Sequence, residues 1–168
     1  TSASPAIPQY VLKGFRRLHR QEDDTSNFGY NNLESIHTVE GFELYSSRGL
    51  KPSVGPLKSA FYRISITITG NVDMQLGLEH FKHQPRTMSF TWPNQVFSKN
   101  NISADAFGYY ILFNEDFLND LVPAAGIAKE FPFFDYTGRP LFQLAPDEID
   151  RVQQFVLKMN DELKENRP

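Results

Sequence analysis

The chain contains no cysteine. That removes disulfide frameworks, thiolate zinc sites and cysteine nucleophiles together, and it fits a reducing compartment. No uninterrupted apolar stretch approaches the ~20 residues that cross a bilayer. The first nine residues, "TSASPAIPQ", lack the basic start and apolar middle of a signal peptide. The expectation is a soluble, cytoplasmic protein with no membrane contact. Positive charge is short as well. Seventeen Lys and Arg stand against 20 Asp and Glu, a formal charge of −3, whereas a domain that grips DNA through phosphates needs a concentrated positive surface. The basic cluster "KGFRRLHR", Lys13 to Arg20, runs into Glu22, Asp23 and Asp24 and reads as a solvated turn between two strands. There is no G-x-S-x-G elbow, no phosphate-cradling glycine loop, no internal repeat and no low-complexity tract.

Aromatic residues, by contrast, are abundant. Fifteen Phe, seven Tyr and one Trp are punctuated by 11 Pro and 10 Gly, which favours short strands and turns over long helices. At 168 residues the chain suits one domain, able to bury about 68–70% of its unfolded surface without a metal or disulfide. "QYVLKGF" reads as a first strand, "SIHTVEGFELYSS" as two short strands bent at Gly41, and "RGLKPSVGPLKS" as a loop. The strongest strand is "FYRISITITG": Tyr62, Ile64, Ile66 and Ile68 share one face, Arg63, Ser65, Thr67 and Thr69 the other, and Gly70-Asn71 ends it. "VDMQLGLEHFKHQPRT" reads as a hairpin turning near Gly77, with a second turn from His83 to Arg86. "MSFTW" alternates again, with Met88, Phe90 and Trp92 on one face, until Pro93-Asn94 stops it. "AFGYYILF" has little polarity on either face, as a doubly buried strand should.

After Phe113 the pattern becomes helical. Asn114 can cap "EDFLNDL", which Pro123 stops, and an irregular aromatic segment, "KEFPFFDYTGRPLFQL", follows. Pro146, with Asp147 and Glu148 beside it, opens a helix of about 18 residues and about 27 Å. In it Ile149, Val152, Val156, Met159 and Leu163 are spaced three, four, three, four. Such an a/d seam serves either as intramolecular core or as a contact with a second subunit.

Catalytic and metal chemistry find little to work with. His80 and His83, three apart on a strand, point to opposite faces and belong to a solvated turn beside Lys82 and Arg86. His19 and His37 lack a partner ligand at useful spacing. The acidic pairs 23–24, 115–116 and 147–148 suit turns and helix starts better than acid–base work. No catalytic residue, metal or cofactor is therefore expected. A barrel of about eight strands holds either a side-chain core or one small ligand. Tyr62, Ile64, Met88, Phe90, Trp92 and Phe97 are the candidates to line it, as pocket or as plain core. Of Tyr62 and Arg63, which lie on opposite strand faces, one must look outward.

The stretches "FYRISITITG", "FTWPNQVFS", "GYYILFNEDFL" and "LAPDEIDRVQQFVLKMNDEL", in this order over roughly residues 55 to 165, resemble the N-terminal regulatory domain of AraC/XylS-type bacterial transcription regulators. The resemblance implies a mainly β fold with C-terminal helices. Residues 1–143 would form a cupin-like antiparallel jelly-roll barrel with an N-terminal arm, and residues 144–168 a linker helix pairing two subunits of a homodimer. It also implies a small organic effector, and DNA contact only through a helix-turn-helix unit beyond Pro168. Two departures stand out. Phe97 sits where many relatives carry histidine, a ligand in metal-binding cupins, and Arg86 in "QPRT" replaces a glycine. Three functions follow as expectations: a sensor and dimerisation domain, a dimerisation barrel with a filled core, and a cupin enzyme, the last poorly supplied with ligands.

Overall fold

The structure, a computed structural model, describes residues 7–21, 26–121 and 141–164. In chain order it contains β1 (Gln9–Tyr10), α1 (Leu12–His19), two 3₁₀ turns (Gly29–Asn31 and Leu33–Ser35), β2 (Phe42–Ser46), β3 (Val54–Ser59), β4 (Tyr62–Thr69), β5 (Val72–Leu76), β6 (Glu79–His83), β7 (Thr87–Thr91), β8 (Val96–Asn100), β9 (Phe107–Phe113), α2 (Glu115–Leu121), β10 (Leu141–Gln143) and α3 (Pro146–Lys164). One sheet has the order β1-β3-β8-β5-β6, the other β10-β7-β4-β9-β2. Apart from the parallel β1–β3 pair, neighbouring strands are antiparallel. From β2 to β9 the chain passes between the sheets at every step except the β5–β6 hairpin, which makes a cupin-like jelly-roll barrel.

Local chemistry explains the joints. Gly77, at φ 65°, reverses β5 into β6. At Gly108 a Cβ would lie 2.0 Å from the Ile66 carbonyl oxygen, so β9 approaches β4 this closely only with glycine there. After β7, the Trp92 N–H donates to Gln95 Oε1 at 2.8 Å, which closes the Pro93-Asn94 turn. Arg86 takes the left-handed conformation that glycine most readily adopts (φ 61°). Asn114 Oδ1 accepts from Phe117 N at 2.9 Å to cap α2, and Glu148 Oε1 accepts from Ala145 N at 2.9 Å at the start of α3.

Several expectations are corrected. "QYVLKGF" is a strand only at Gln9–Tyr10, and "SIHTVEGFELYSS" holds one strand, Phe42–Ser46, not two. "KGFRRLHR" is no solvated turn: residues 12–19 form α1, whose Phe15 and His19 are buried. Likewise "RGLKPSVGPLKS" is not all loop, because β3 occupies its second half. Pro123, Thr1 to Ala6 and the aromatic stretch from Lys129 to Pro140 lie outside the described residues.

The β10-β7-β4-β9-β2 sheet has both faces covered. Its inner face meets the other sheet. Its outer face packs at one end on α3 and the 28–36 segment, where Asn160 Oδ1 accepts from Gly29 N at 2.8 Å and Leu163 O from His37 N at 2.9 Å. At the other end Phe90, Phe113 and Leu118 form a small apolar cluster joined by Tyr62, Trp92 and Phe117. Ile149, Val156 and Leu163 of α3 belong to the main core together with Leu44, Ile66 and Tyr109.

Candidate ligand site inside the barrel

Register fixes what faces inward. Arg63 is paired with Leu112 and Thr91, Ser65 with Tyr110 and Ser89, and Thr67 with Thr87, while Tyr45 pairs with Tyr110 and Glu43 with Leu112. Paired residues share a sheet face. This set faces inward, because Arg63 reaches Phe97 of β8 and both Thr67 and Ser89 reach His83 of β6. The inner face of this sheet is therefore largely polar, and it looks across at a mostly apolar one built from Val54, Leu57, Val72, Met74, Leu76, Phe81 and Phe97, into which His83 and Lys99 also project. A barrel core of ordinary design would be apolar on both sides.

The lining expected from the alternation of β4 and β7 is thus largely on the wrong side. Tyr62, Ile64, Met88 and Phe90 lie on the outer face, Tyr62 stacked on Phe113 (5.2 Å, 12°) and Trp92 edge-on to Phe90 (4.6 Å). Of the six candidates only Phe97 projects inward, 1% exposed. The physical reason is that helices and loops bury the outer face too, so an apolar row on β4 and β7 does not identify the interior. Between Tyr62 and Arg63, the tyrosine looks outward and the arginine inward.

Arg63 is 4% exposed. Its guanidinium carbon lies 3.5 Å from the ring centre of Phe97 and 4.7 Å from that of Phe15, and its Nε and Nη2 have no hydrogen-bond partner. Burial lowers its pKa to about 9. Lys99, two residues from Phe97 on the same strand face, holds its Nζ 5.4 Å from the Tyr110 ring. Burial, then the charge of Arg63, lowers its pKa to about 7. Ser65 Oγ, Thr91 Oγ1 and His19 Nε2 are also buried without partners. Elsewhere the interior is satisfied. His83 Nδ1 and Nε2 lie 2.6 and 3.0 Å from Thr67 Oγ1 and Ser89 Oγ, and Glu43 pairs with Arg16 at 2.7 Å and accepts from the Tyr45 hydroxyl. Burial, with the Glu43 charge next, raises the Tyr45 pKa.

The open end of the interior is closed by α1. Phe15 and His19 stack on each other (4.2 Å, 14°) and, with Leu50, Val54, Arg63, Phe97, Lys99 and Tyr110, enclose a cavity of about 10 Å³, room for one water. The other side of α1 presents Leu12, Lys13 and Arg16 to an open groove of about 650 Å³, which also reaches Tyr30, Glu43 and Phe61. That volume is in the range of small-molecule sites. The signal for α1 was in the sequence: Leu12, Phe15, Arg16 and His19 recur at helical spacing, hidden by their charged neighbours.

The histidine at position 83 is fully buried rather than in a solvated turn. His80 is exposed. Among the described residues no group of three His, Asp or Glu could hold a metal ion. The a/d stripe of α3 is used within the chain: Ile149, Val156 and Leu163 are buried in its core, and Val152 and Met159 pack against them. The stripe thus serves as intramolecular core, the first of its two readings, and not as the subunit contact that the resemblance implied.

Fold and site together define a cupin-like barrel with a partly polar, helix-plugged interior. No protein-family model matches the chain, and no curated protein does. Among solved structures it is similar to ToxT from Vibrio cholerae O395 bound to (E)-4-(8-methylnaphthalen-1-yl)but-3-enoic acid, at 12% identity and a TM-score of 0.47, over 74% of this chain and 50% of ToxT. It is also similar to the Schizosaccharomyces pombe Cnp3 cupin domain (15%, TM-score 0.40, 51% of this chain, 65% of that one). A third likeness is to Bacillus subtilis oxalate decarboxylase (14%, TM-score 0.33, 90% and 53%). The chain thus spans about half the length of ToxT. The architecture given above rests on strand order and register, not on these likenesses. No helix among the described residues is long and apolar enough to cross a membrane.

Proposed function

We propose that the chain is the ligand-sensing domain of an AraC-type transcription regulator, which binds a small molecule in the barrel and passes the event to a DNA-binding unit outside residues 1–168. The observation that carries the sensing part is the row of buried, unpartnered polar atoms on Arg63, Ser65 and Thr91. Buried polar groups are nearly always satisfied in a finished core, so this row marks a place prepared for a polar guest. The ordered motifs between residues 55 and 165 support the regulator part. Phe97, where the resemblance implies a metal-binding histidine in many relatives, supports binding without turnover.

Any guest larger than a water enters only as α1 shifts, and that shift is the differential contact on which a ligand-driven equilibrium depends. Arg20 of the adjoining segment donates to Ser46 O (3.0 Å). Ser46 is hydrogen-bonded to Asn31, and the same 3₁₀ turn is tied to Asn160 of α3. A movement of α1 thus has a physical route to the C-terminal helix. Self-association through the solvent face of α3, where Phe155 is 66% exposed, completes the proposal. The test is a thermal-shift screen against sugars, fatty acids and aromatic acids. A ligand at 100 times its Kd adds about 2.7 kcal/mol. A melting curve that no compound moves would favour the alternative, a filled dimerisation barrel, for which the small size of the inner cavity speaks.

A further inference from the structure

We propose that the ligand of the barrel carries a carboxylate, which sits against Arg63 and Lys99 beneath α1. This rests on the sensing function above and names the chemistry of its ligand. The cavity behind Phe15 and His19 is lined by two cationic side chains and no acid. The one buried carboxylate among the described residues, Glu43, is already engaged by Arg16 and Tyr45. Arg63 and Lys99 therefore face the same space with neither an ion pair nor a hydrogen bond to compensate them among the described residues. The rings of Phe15 and Phe97 offset part of the arginine charge, but they are no substitute for an oxygen acceptor at Nε and Nη2.

The remaining unpartnered atoms suit the same guest. Thr91 is the register partner of Arg63, and Ser65 is two residues along β4 on the same face. Both hydroxyls can donate, as Arg63 and Lys99 must, and a carboxylate accepts from several donors at once and binds arginine in bidentate fashion. A neutral polyol would leave the buried charge of Arg63 and the half-buried one of Lys99 without a counter-charge, the costlier outcome. The cavity as it stands holds one water, so the carboxylate displaces that volume and the body of the ligand lies where Phe15 and His19 now pack, or in the groove on the other side of α1.

A purely structural role for Arg63, as a cationic pin that holds Phe15 and hence α1, makes opposite claims. The experiment uses residues 1–168 at constant ionic strength and pH 7, titrated with sodium acetate and sodium benzoate, and with acetamide and benzamide as neutral isosteres, while the melting temperature is read. The carboxylates are expected to raise Tm saturably and the amides to leave it unchanged. Arg63→Met is expected to lose the response and, with no carboxylate present, to melt above the wild type, because an uncompensated buried charge has gone. A structural pin would instead melt lower when cut. Should Arg63→Met fail to fold, that counts for the pin, and Lys99→Met decides: loss of the acetate response upholds the carboxylate site, and an undiminished response overturns it. Amides as effective as acids also overturn it. If neutral compounds alone raise Tm, sensing stands and the carboxylate falls; if no compound does, both fall.

Discussion

His83 ends β6 with both ring nitrogens engaged by hydroxyls, and His19 ends α1 with one nitrogen 2.6 Å from the Phe15 carbonyl oxygen. Burial lowers the first to about 3 and the second to about 2, so both are neutral in the folded barrel while an unfolded chain protonates them near pH 6.5. Between those values the unfolded state binds more protons, and stability falls as pH falls. The loss begins below pH 6.5 and approaches about 1.4 kcal/mol per pH unit for each histidine. Urea unfolding at several pH values between 7 and about 4.5, above the main carboxylate range, should show this slope. His83→Leu should roughly halve it even where its absolute stability is lower. A slope unchanged by the substitution would place the titrating group elsewhere. Nothing in the local sequence "FKHQPR" distinguishes this histidine from its exposed neighbour His80, since its burial is set by Thr67 and Ser89 on other strands. The polar face of β4 was legible as a row, but which row looks inward depends on what covers the outside of the sheet.

The C-terminal helix shows the same division at the scale of an element. Its start, its length and its apolar stripe were all legible, because Pro146, the acidic first turn and the 3-4 spacing are local signals. Its partner was not, since a stripe of this width fits a barrel as well as a second helix. With Val156 1% exposed inside the chain, Val156→Asp buries a charge without a partner and is expected to destabilise the fold by several kcal/mol, visible as a large drop in Tm. Phe155→Asp, on the opposite surface, should leave Tm nearly unchanged and lower the mass measured by sedimentation if α3 joins two subunits. The reverse pattern, a stable Val156→Asp and an unfolded Phe155→Asp, would mean that the helix is docked by its other face. α1 was missed for the opposite reason: its inward residues are an aromatic and a histidine set among arginines, a composition that reads as surface until the barrel supplies the walls.

For the whole molecule, a small antiparallel barrel followed from strand spacing, turn residues and aromatic load, while its cupin-like jelly-roll form was what the resemblance of the ordered motifs implied. The interior did not follow, because it is assembled from one to three residues on each of many separate elements, and its polarity departs from the usual apolar core. That departure is the expected trace of a binding site: atoms left without partners weaken the empty barrel and strengthen the filled one. A guest that completes them must shift α1. Hydrogen–deuterium exchange, measured with and without a saturating amount of the compound that most raises Tm, tests this most directly. The protection of Leu12–His19 should change on binding, with a smaller change in the 28–36 segment and α3, while the β5–β6 hairpin stays as it was. A compound that stabilises the protein but leaves exchange across Leu12–His19 untouched would show that ligand binding does not work through the α1 plug.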